Sequence, residues 1–184
     1  MVASRQPALF LDRDGVINVD YGYVHSSENF HFVEGIFDVV HTACTQGYKI
    51  VVVTNQAGIG RGLYSEENFL TLTEWMCRRF TEEKAQIDRV YFSPYHPTEG
   101  LGEYRQDHAS RKPRPGMLLQ AKLELSIDMA GSILIGDNLS DMKAGIAAGV
   151  GTNLLLSDKS EANAVMEKCL RIESLYEALP FLIT

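Results

Sequence analysis

Phe10-Leu11-Asp12-Arg13-Asp14-Gly15-Val16-Ile17 governs how the rest of the sequence is read, because an apolar run stops abruptly at two carboxylates one residue apart. If residues 8–11 form a buried strand, side chains alternate along it, and Asp12 and Asp14 leave its carboxyl end in the same direction. Like charges held that close repel, and a divalent cation is the simplest compensation. Gly15 then lets the chain turn sharply away. Taken alone, an Asp-rich turn after a strand is the plainer reading. The remainder of the chain argues against it.

Working outward, strand and helix patterns alternate. Residues 35–44 place apolar side chains at 36, 37, 40, 43 and 44, a helical stripe stopped by Gly47. Residues 48–53 are a continuous, β-branched run, the pattern of a strand buried on both faces. That run ends in Thr54-Asn55-Gln56 and a glycine-rich loop from Ala57 to Gly62. Ser65 caps the next helix, whose Phe69, Leu72, Trp75, Met76 and Phe80 recur at helical spacing and read as core packing. Further strands fall at 89–92, 132–135 and 152–156, with a short edge strand at 170–172. Pro115 opens a helix carrying Met117, Leu118, Ala121 and Leu125, and residues 144–148 form another, closed by Gly149. Ser174 caps a terminal helix with Leu175, Leu179 and Phe181 turned inward. This alternation predicts an α/β fold, a doubly wound parallel sheet with helices on both faces, as one domain over residues 1–184.

Ligands of such sheets bind beyond the carboxyl ends of the strands. Asp12 and Asp14, Thr54, and Asp137 with Asp141 all stand at strand ends. Residues 93–115 hold four of the six prolines and the densest basic cluster of the chain, Arg111, Lys112 and Arg114, able to fold over the same edge. Residues 18–32, polar and dotted with aromatics, are too long for a simple connection and read as a substrate-facing loop.

The bulk numbers narrow the partner. A net charge of −7 over 184 residues argues against a nucleic-acid or membrane-surface partner, either of which favours a basic face. Three widely separated cysteines, Cys44, Cys77 and Cys169, read as reduced thiols in a cytosolic setting. No basic start with an apolar segment behind it marks a signal peptide, and no run nears the roughly 20 apolar residues that span a bilayer.

Asp12, Asp14 and Asp137 offer oxygen ligands of the kind Mg²⁺ prefers. With part of that charge neutralised, a free oxygen of Asp12 can attack phosphorus and form an aspartyl-phosphate. Lys112, the Thr54 hydroxyl and backbone N–H groups are the donors available to the charge that builds on the phosphoryl oxygens. Asp14 is placed to protonate the leaving alcohol and later to deprotonate water.

Asp-x-Asp at the first strand end, Thr at the second, Lys before a helix and then Gly-Asp-x-x-x-Asp, in that order, resemble the haloacid dehalogenase (HAD) superfamily of phosphohydrolases. The stretches 11–18, 20–25 (Asp-Tyr-Gly-Tyr-Val-His), 53–56, 72–75 and 111–117 (Arg-Lys-Pro-Arg-Pro-Gly-Met) are similar to the D-glycero-D-manno-heptose 1,7-bisphosphate 7-phosphatases. The resemblance implies a capless, cytosolic, Mg²⁺-dependent enzyme of heptose assembly for lipopolysaccharide or capsule; a small sugar phosphate is the expected substrate and a monomer the expected state. It makes Asp12 the nucleophile and Asp14 the acid/base, with Thr54 and Lys112 steadying the phosphoryl group and Asp137 completing the metal site. Asp20, Tyr21, Gly22, Tyr23, Asn55, Gln56, Ala57 and Arg111 would contact substrate. One departure stands out: many relatives hold a structural zinc through Cys-x-His and a later Cys-x-Cys, and the matching positions here are Ser93, Tyr95, His108 and Ser110. Without thiolates no zinc is expected, and His96 and His108 read as loop histidines bonded to water or backbone.

Two rivals remain. Histidinol-phosphate phosphatases have a similar catalytic domain. Receiver-type signalling modules also gather acids, a Thr and a Lys around Mg²⁺, but there the phosphorylated Asp follows an acidic pair and precedes Thr and Lys. Here Asp-x-Asp comes first and the second acidic pair follows Lys112.

Overall fold

The computed structural model describes residues 5–157 and 168–183. Six strands, β1 (Gln6–Leu11), β2 (Lys49–Asn55), β3 (Arg89–Ser93), β4 (Ile127–Gly136), β5 (Thr152–Leu156) and β6 (Cys169–Ile172), form one sheet in the order β3-β2-β1-β4-β5-β6. Every neighbouring pair is parallel. The helices are α1 (Ile36–Thr45), α2 (Ala57–Gly60), α3 (Glu66–Glu82), α4 (Gly116–Leu125), α5 (Leu139–Ala148) and α6 (Leu179–Leu182). This is the doubly wound α/β architecture that the alternating pattern predicts.

The apolar runs are continuous because each strand feeds two cores. Leu9, Leu11, Ile50, Val52, Ile133, Ile135 and Leu154 point to one face, where they pack with α1, α3 and the C-terminal turn. Ala8, Phe10, Val51, Val53, Leu134 and Leu155 point to the other, against α4 and α5. The period of two is the pleat itself, and burial of both faces removes any polar alternation from the sequence.

Some boundaries differ from the sequence reading. Strand β4 starts at Ile127, not 132, since its first residues pair with Gln6 and Pro7 across a register shift. Helix α5 starts at Leu139, where Asn138 caps it, and the glycine-rich segment after β2 coils into the single turn α2. At the C-terminus Leu182 is buried and Phe181 exposed, so the inward position is one residue later than expected. Ser65 caps α3 as read, in a reciprocal pair with Asn68. The long loop after β1 is pinned by Phe30 and Phe32, which pack on Trp75 of α3.

After β1 the chain builds outward through β2 and β3, then returns to place β4 on the other side of β1. The carboxyl ends of β1 and β4 therefore flank the switch-point crevice where open α/β sheets bind ligands.

Candidate active site

Asp12 follows the last residue of β1, and its backbone N–H donates to Ile135 O at 3.0 Å, locking it beside the end of β4. Its Oδ1 accepts from the Arg13 backbone N–H at 2.7 Å and lies 2.9 Å from Lys112 Nζ. Both contacts fall on one oxygen, which leaves Oδ2 without a partner among the described residues. Asp137 comes from the turn after β4. Gly15 admits it: a Cβ there would lie 2.1 Å from Asp137 Oδ2, and its φ of +84° favours glycine in any case. Asp141, in the first turn of α5, uses Oδ2 to accept from the Asn138 N–H at 3.0 Å, the return half of the helix cap. Its Oδ1 is 2.6 Å from Lys112 Nζ.

Ligand oxygens of Asp12, Asp137 and Asp141 all lie within 4.8 Å of one another. Lys112 is the buried cation among them, and its third contact is donation to Val53 O at 2.8 Å. Burial, with repulsion from Asp141 and Asp137, pushes the Asp12 carboxyl up to about 8 although Lys112 pulls it down. Burial and Asp141 raise Asp137 to about 6. Lys112 is raised as well, to about 12, but there the two carboxylates outweigh the cost of burial and favour the charged form. Three carboxylates against one ammonium leave uncompensated negative charge and acid groups with raised affinity for protons, the chemistry that suits a hard divalent cation with oxygen ligands.

Asp14 is not in that group. Strand β1 stops at Leu11, so the alternation that would have aligned Asp14 with Asp12 does not reach it. The Arg13 guanidinium grips both Asp14 oxygens at 2.7 and 2.8 Å, Asn18 Nδ2 adds a bond at 3.1 Å and Gln56 Nε2 another at 3.0 Å. Asp141 thus stands third beside Asp12 and Asp137, in place of the Asp14 side chain. Thr54 Oγ1 accepts from Gln56 Nε2 at 2.9 Å and so keeps its own hydrogen to donate. All of these acids and Thr54 line one cleft of about 680 Å³, together with Asp20, Gly22, Tyr23, Asn55, Gln56, Ala57, Arg61, Tyr64, His96 and Arg111.

A family model described as HAD-hydrolase-like matches residues 109–178. The chain is 50% identical over 151 residues to the D-glycero-beta-D-manno-heptose-1,7-bisphosphate 7-phosphatase of Vibrio cholerae, covering 82% of this chain and 81% of that one. It is 48% identical over 175 residues to the D-glycero-alpha-D-manno-heptose-1,7-bisphosphate 7-phosphatase of Burkholderia mallei, covering 95% and 93%. The chain belongs to this family of HAD-like phosphatases. Among solved structures, D,D-heptose 1,7-bisphosphate phosphatase from B. bronchiseptica, complexed with magnesium and phosphate, superposes with a TM-score of 0.85 at 25% identity, over 96% of this chain and 98% of that one.

Within this HAD-like phosphatase the expected contact residues divide. Asp20, Gly22, Tyr23, Ala57 and Arg111 line the cleft. Asn55 and Gln56 line it too, but their amides serve the protein. Asn55 clamps the Lys112 peptide from both sides, Nδ2 to Lys112 O at 3.1 Å and Lys112 N–H to Oδ1 at 3.0 Å. Gln56 accepts from Tyr64 at 2.6 Å. Tyr21 is exposed, edge-on to His31, and does not line the cleft. Ser93, Tyr95, His108 and Ser110 bond to one another: Ser110 Oγ donates to Ser93 Oγ at 2.9 Å and lies 2.7 Å from His108 Nδ1, and the His108 ring stacks on Tyr95 at 4.0 Å. His96 bonds backbone, accepting from the Glu99 N–H at 3.0 Å. Arg13, Arg61 and Tyr64 were not singled out in the sequence. Only Arg13 carried a signal, a cation between two acids at the end of a buried strand, where an unpaired charge is costly.

Proposed function

We propose that this protein hydrolyses the 7-phosphate of a D-glycero-D-manno-heptose 1,7-bisphosphate through an aspartyl-phosphate on Asp12, in heptose assembly for lipopolysaccharide or capsule. The observation that carries the chemistry is the carboxylate group of Asp12, Asp137 and Asp141 wrapped around Lys112 at the crevice between β1 and β4. The substrate follows from the relatives' names over four-fifths or more of the chain.

Asp12 Oδ2, the oxygen free of protein partners, attacks the 7-phosphorus while Lys112 and the Arg13 N–H hold Oδ1. The bond from phosphorus to the C7 oxygen breaks, and Asp14 hands that oxygen a proton. In the second half Asp14 takes a proton from water, the water oxygen attacks phosphorus, and the acyl-phosphate bond opens to restore the Asp12 carboxylate. Asp14 is fully engaged as an acceptor in the free protein, so carrying a proton means releasing a donor, and Gln56 is an uncharged one. The Thr54 hydroxyl donates to the phosphoryl oxygens as charge builds on them, while Lys112, whose three hydrogens serve Asp12, Asp141 and Val53 O, contributes its positive charge from beside them. Mg²⁺ held by Asp12, Asp137 and Asp141 would supply the remaining neutralisation of the phosphoryl charge.

The same reading makes residues 1–184 a single capless domain, working as a cytoplasmic monomer on a small sugar phosphate with no nucleic-acid or membrane partner. No helix of the described residues is long and apolar enough to cross a membrane. The bonded set Ser93, Ser110, His108 and Tyr95 supports a loop that keeps its shape without zinc.

The test is phosphate release from α and β heptose bisphosphates and from histidinol phosphate, with and without Mg²⁺. Asp12→Asn is expected to cost at least roughly 10³-fold in kcat, as loss of a covalent nucleophile does. A fully active Asp12→Asn protein, or a preference for histidinol phosphate, overturns the reading. Relatives named for the β and α anomers match this chain at 50% and 48%, so the two anomers are compared side by side.

A further inference from the structure

We propose that Arg61 binds the second phosphate of the substrate and that Glu99 holds that position in the unliganded cleft. The proposal rests on the bisphosphate reading above and adds the residue that recognises the phosphate left behind.

Two phosphate groups bring about −1.5 to −2 charges each at neutral pH, so the cleft must offer positive charge in two places. The cations that line it are Arg61, Arg111, Lys112 and, when protonated, His96. Lys112 is consumed by Asp12 and Asp141. Arg111 spends Nη1 on Tyr95 O at 3.0 Å, and its guanidinium makes no other hydrogen bond among the described residues. Arg61 follows α2 on the wall built by the loop after β3, where Leu101 N–H donates to Gly60 O at 2.7 Å. Its guanidinium lies over the Tyr23 ring, 5.2 Å from the centroid, and donates to the Tyr23 hydroxyl. Its charge partner is Glu99, with Oε2 at 3.0 Å from Nη1.

Glu99 sits among the groups an anion would seek. The same Oε2 is 3.9 Å from His96 Nε2. His96 Nδ1 accepts from the backbone N–H of Glu99, so the neutral ring carries its hydrogen on Nε2, facing the carboxylate. Glu99 also acts electrostatically on Arg111. An internal carboxylate therefore lies against Arg61 and His96, two of the groups that line the cleft. It is a monoanion on a half-exposed side chain, 52% accessible, in an exposed ion pair of the kind that is weakly held. A phosphate offers more charge and three oxygens, two of which match the guanidinium fork. It displaces Glu99 outward into water and leaves Arg61 fixed by Tyr23.

Two variants with opposite expected signs test this, read as steady-state kinetics of the full chain with Mg²⁺ on the heptose bisphosphate and on p-nitrophenyl phosphate, which has no second phosphate. Arg61→Ala lowers kcat/KM for the bisphosphate at least about tenfold more than for the ester, the loss expected of a charge-assisted bidentate contact. Glu99→Gln lowers KM for the bisphosphate by about threefold or more, as release of a weak exposed ion pair predicts, and this gain disappears in an Arg61→Ala background. If Arg61 and Glu99 merely strap two loops together, both variants lose activity, on both substrates alike, and the proposal is overturned. A rise in KM for Glu99→Gln overturns it too. A wild-type protein that does not prefer the bisphosphate to the ester refutes the substrate reading instead, and the two failures are told apart by that single control.

Discussion

Replacing Asp141 with Asn removes one buried charge from the acid group and leaves the shape of α5 intact, because an amide oxygen can still accept from the Asn138 N–H at the helix cap. With all three carboxyls ionised, as they must be to hold a cation, Asp12, Asp137 and Asp141 set three negative charges against one positive charge on Lys112, so the variant halves the net negative charge, from two to one. A unit charge about 4 Å from another at an effective dielectric of about 20 is worth about 4 kcal/mol, which is the ceiling. Asp141 already lies 2.6 Å from Lys112, so much of its field is spent there. What remains is closer to the effect of removing a group that supports metal ligands, about 10- to 100-fold in metal affinity, or about 1.4–2.7 kcal/mol. The assay is phosphate release as Mg²⁺ is titrated, paired with the Mg²⁺-induced rise in Tm. The Mg²⁺ concentration for half-maximal rate is expected to rise by that factor, with a smaller fall in kcat at saturation, and the Mg²⁺-induced rise in Tm is expected to shrink in parallel. An unchanged half-saturation would show that the ion does not feel Asp141, and the three-carboxylate site would be wrong.

Without metal, stability should fall as pH rises from about 4 to about 8. Asp12 and Asp137 are raised from 3.8 to about 8 and about 6 in the folded protein, which therefore binds more protons than the unfolded chain across that window. Tm measured in chelator should drop over this range and Mg²⁺ should flatten the slope; a Tm in chelator that rises with pH contradicts the shifts. Gly15→Ala forces a Cβ to within 2.1 Å of Asp137 Oδ2 at a φ of +84°, and a strain of about 1–2 kcal/mol should lower Tm by at least about 2 °C while weakening Mg²⁺ binding. Equal Tm and equal Mg²⁺ half-saturation would mean that Asp137 moves aside freely. Tyr64→Phe removes the donor to Gln56 Oε1 at 2.6 Å, a hydroxyl that burial raises to about 12 and so keeps protonated. The Gln56 amide is then free to turn from Asp14 and Thr54, and kcat should fall by roughly fivefold or more, as an unsatisfied buried acceptor of about 1–3 kcal/mol implies. A change confined to KM would exclude this orienting role.

What could be read in advance was what depends on neighbours along the chain. The apolar runs at 50–53 and 132–135 announced strands buried on two faces, and acids directly after strands marked the binding edge. What could not be read depends on where a strand stops and on what crosses from elsewhere. Asp14 fell away from Asp12 because β1 ends at Leu11, and Asp141 took its place by way of a helix cap that also reaches Lys112. Tyr21 and Tyr23 are equivalent in composition, yet Arg61 holds one at the cleft while His31 holds the other outside. Pairings such as Arg61 with Glu99 join residues from two separate loops and leave no periodic trace in the sequence.

Asn55 holds the peptide of Lys112 by its N–H and its C=O at once, much as a neighbouring strand would, so the edge of the sheet continues through a side chain into an otherwise irregular segment. Arg111 and Lys112 are consecutive on that segment, and both face the cleft. On the proposed reading, the reach between the ammonium that would steady the phosphoryl oxygens and the guanidinium that would contact the rest of the substrate is therefore set by one backbone unit. That makes the pair a caliper. Lengthening the segment by a residue at this point would change the size of sugar that fits while the carboxylates at the crevice stay where they are.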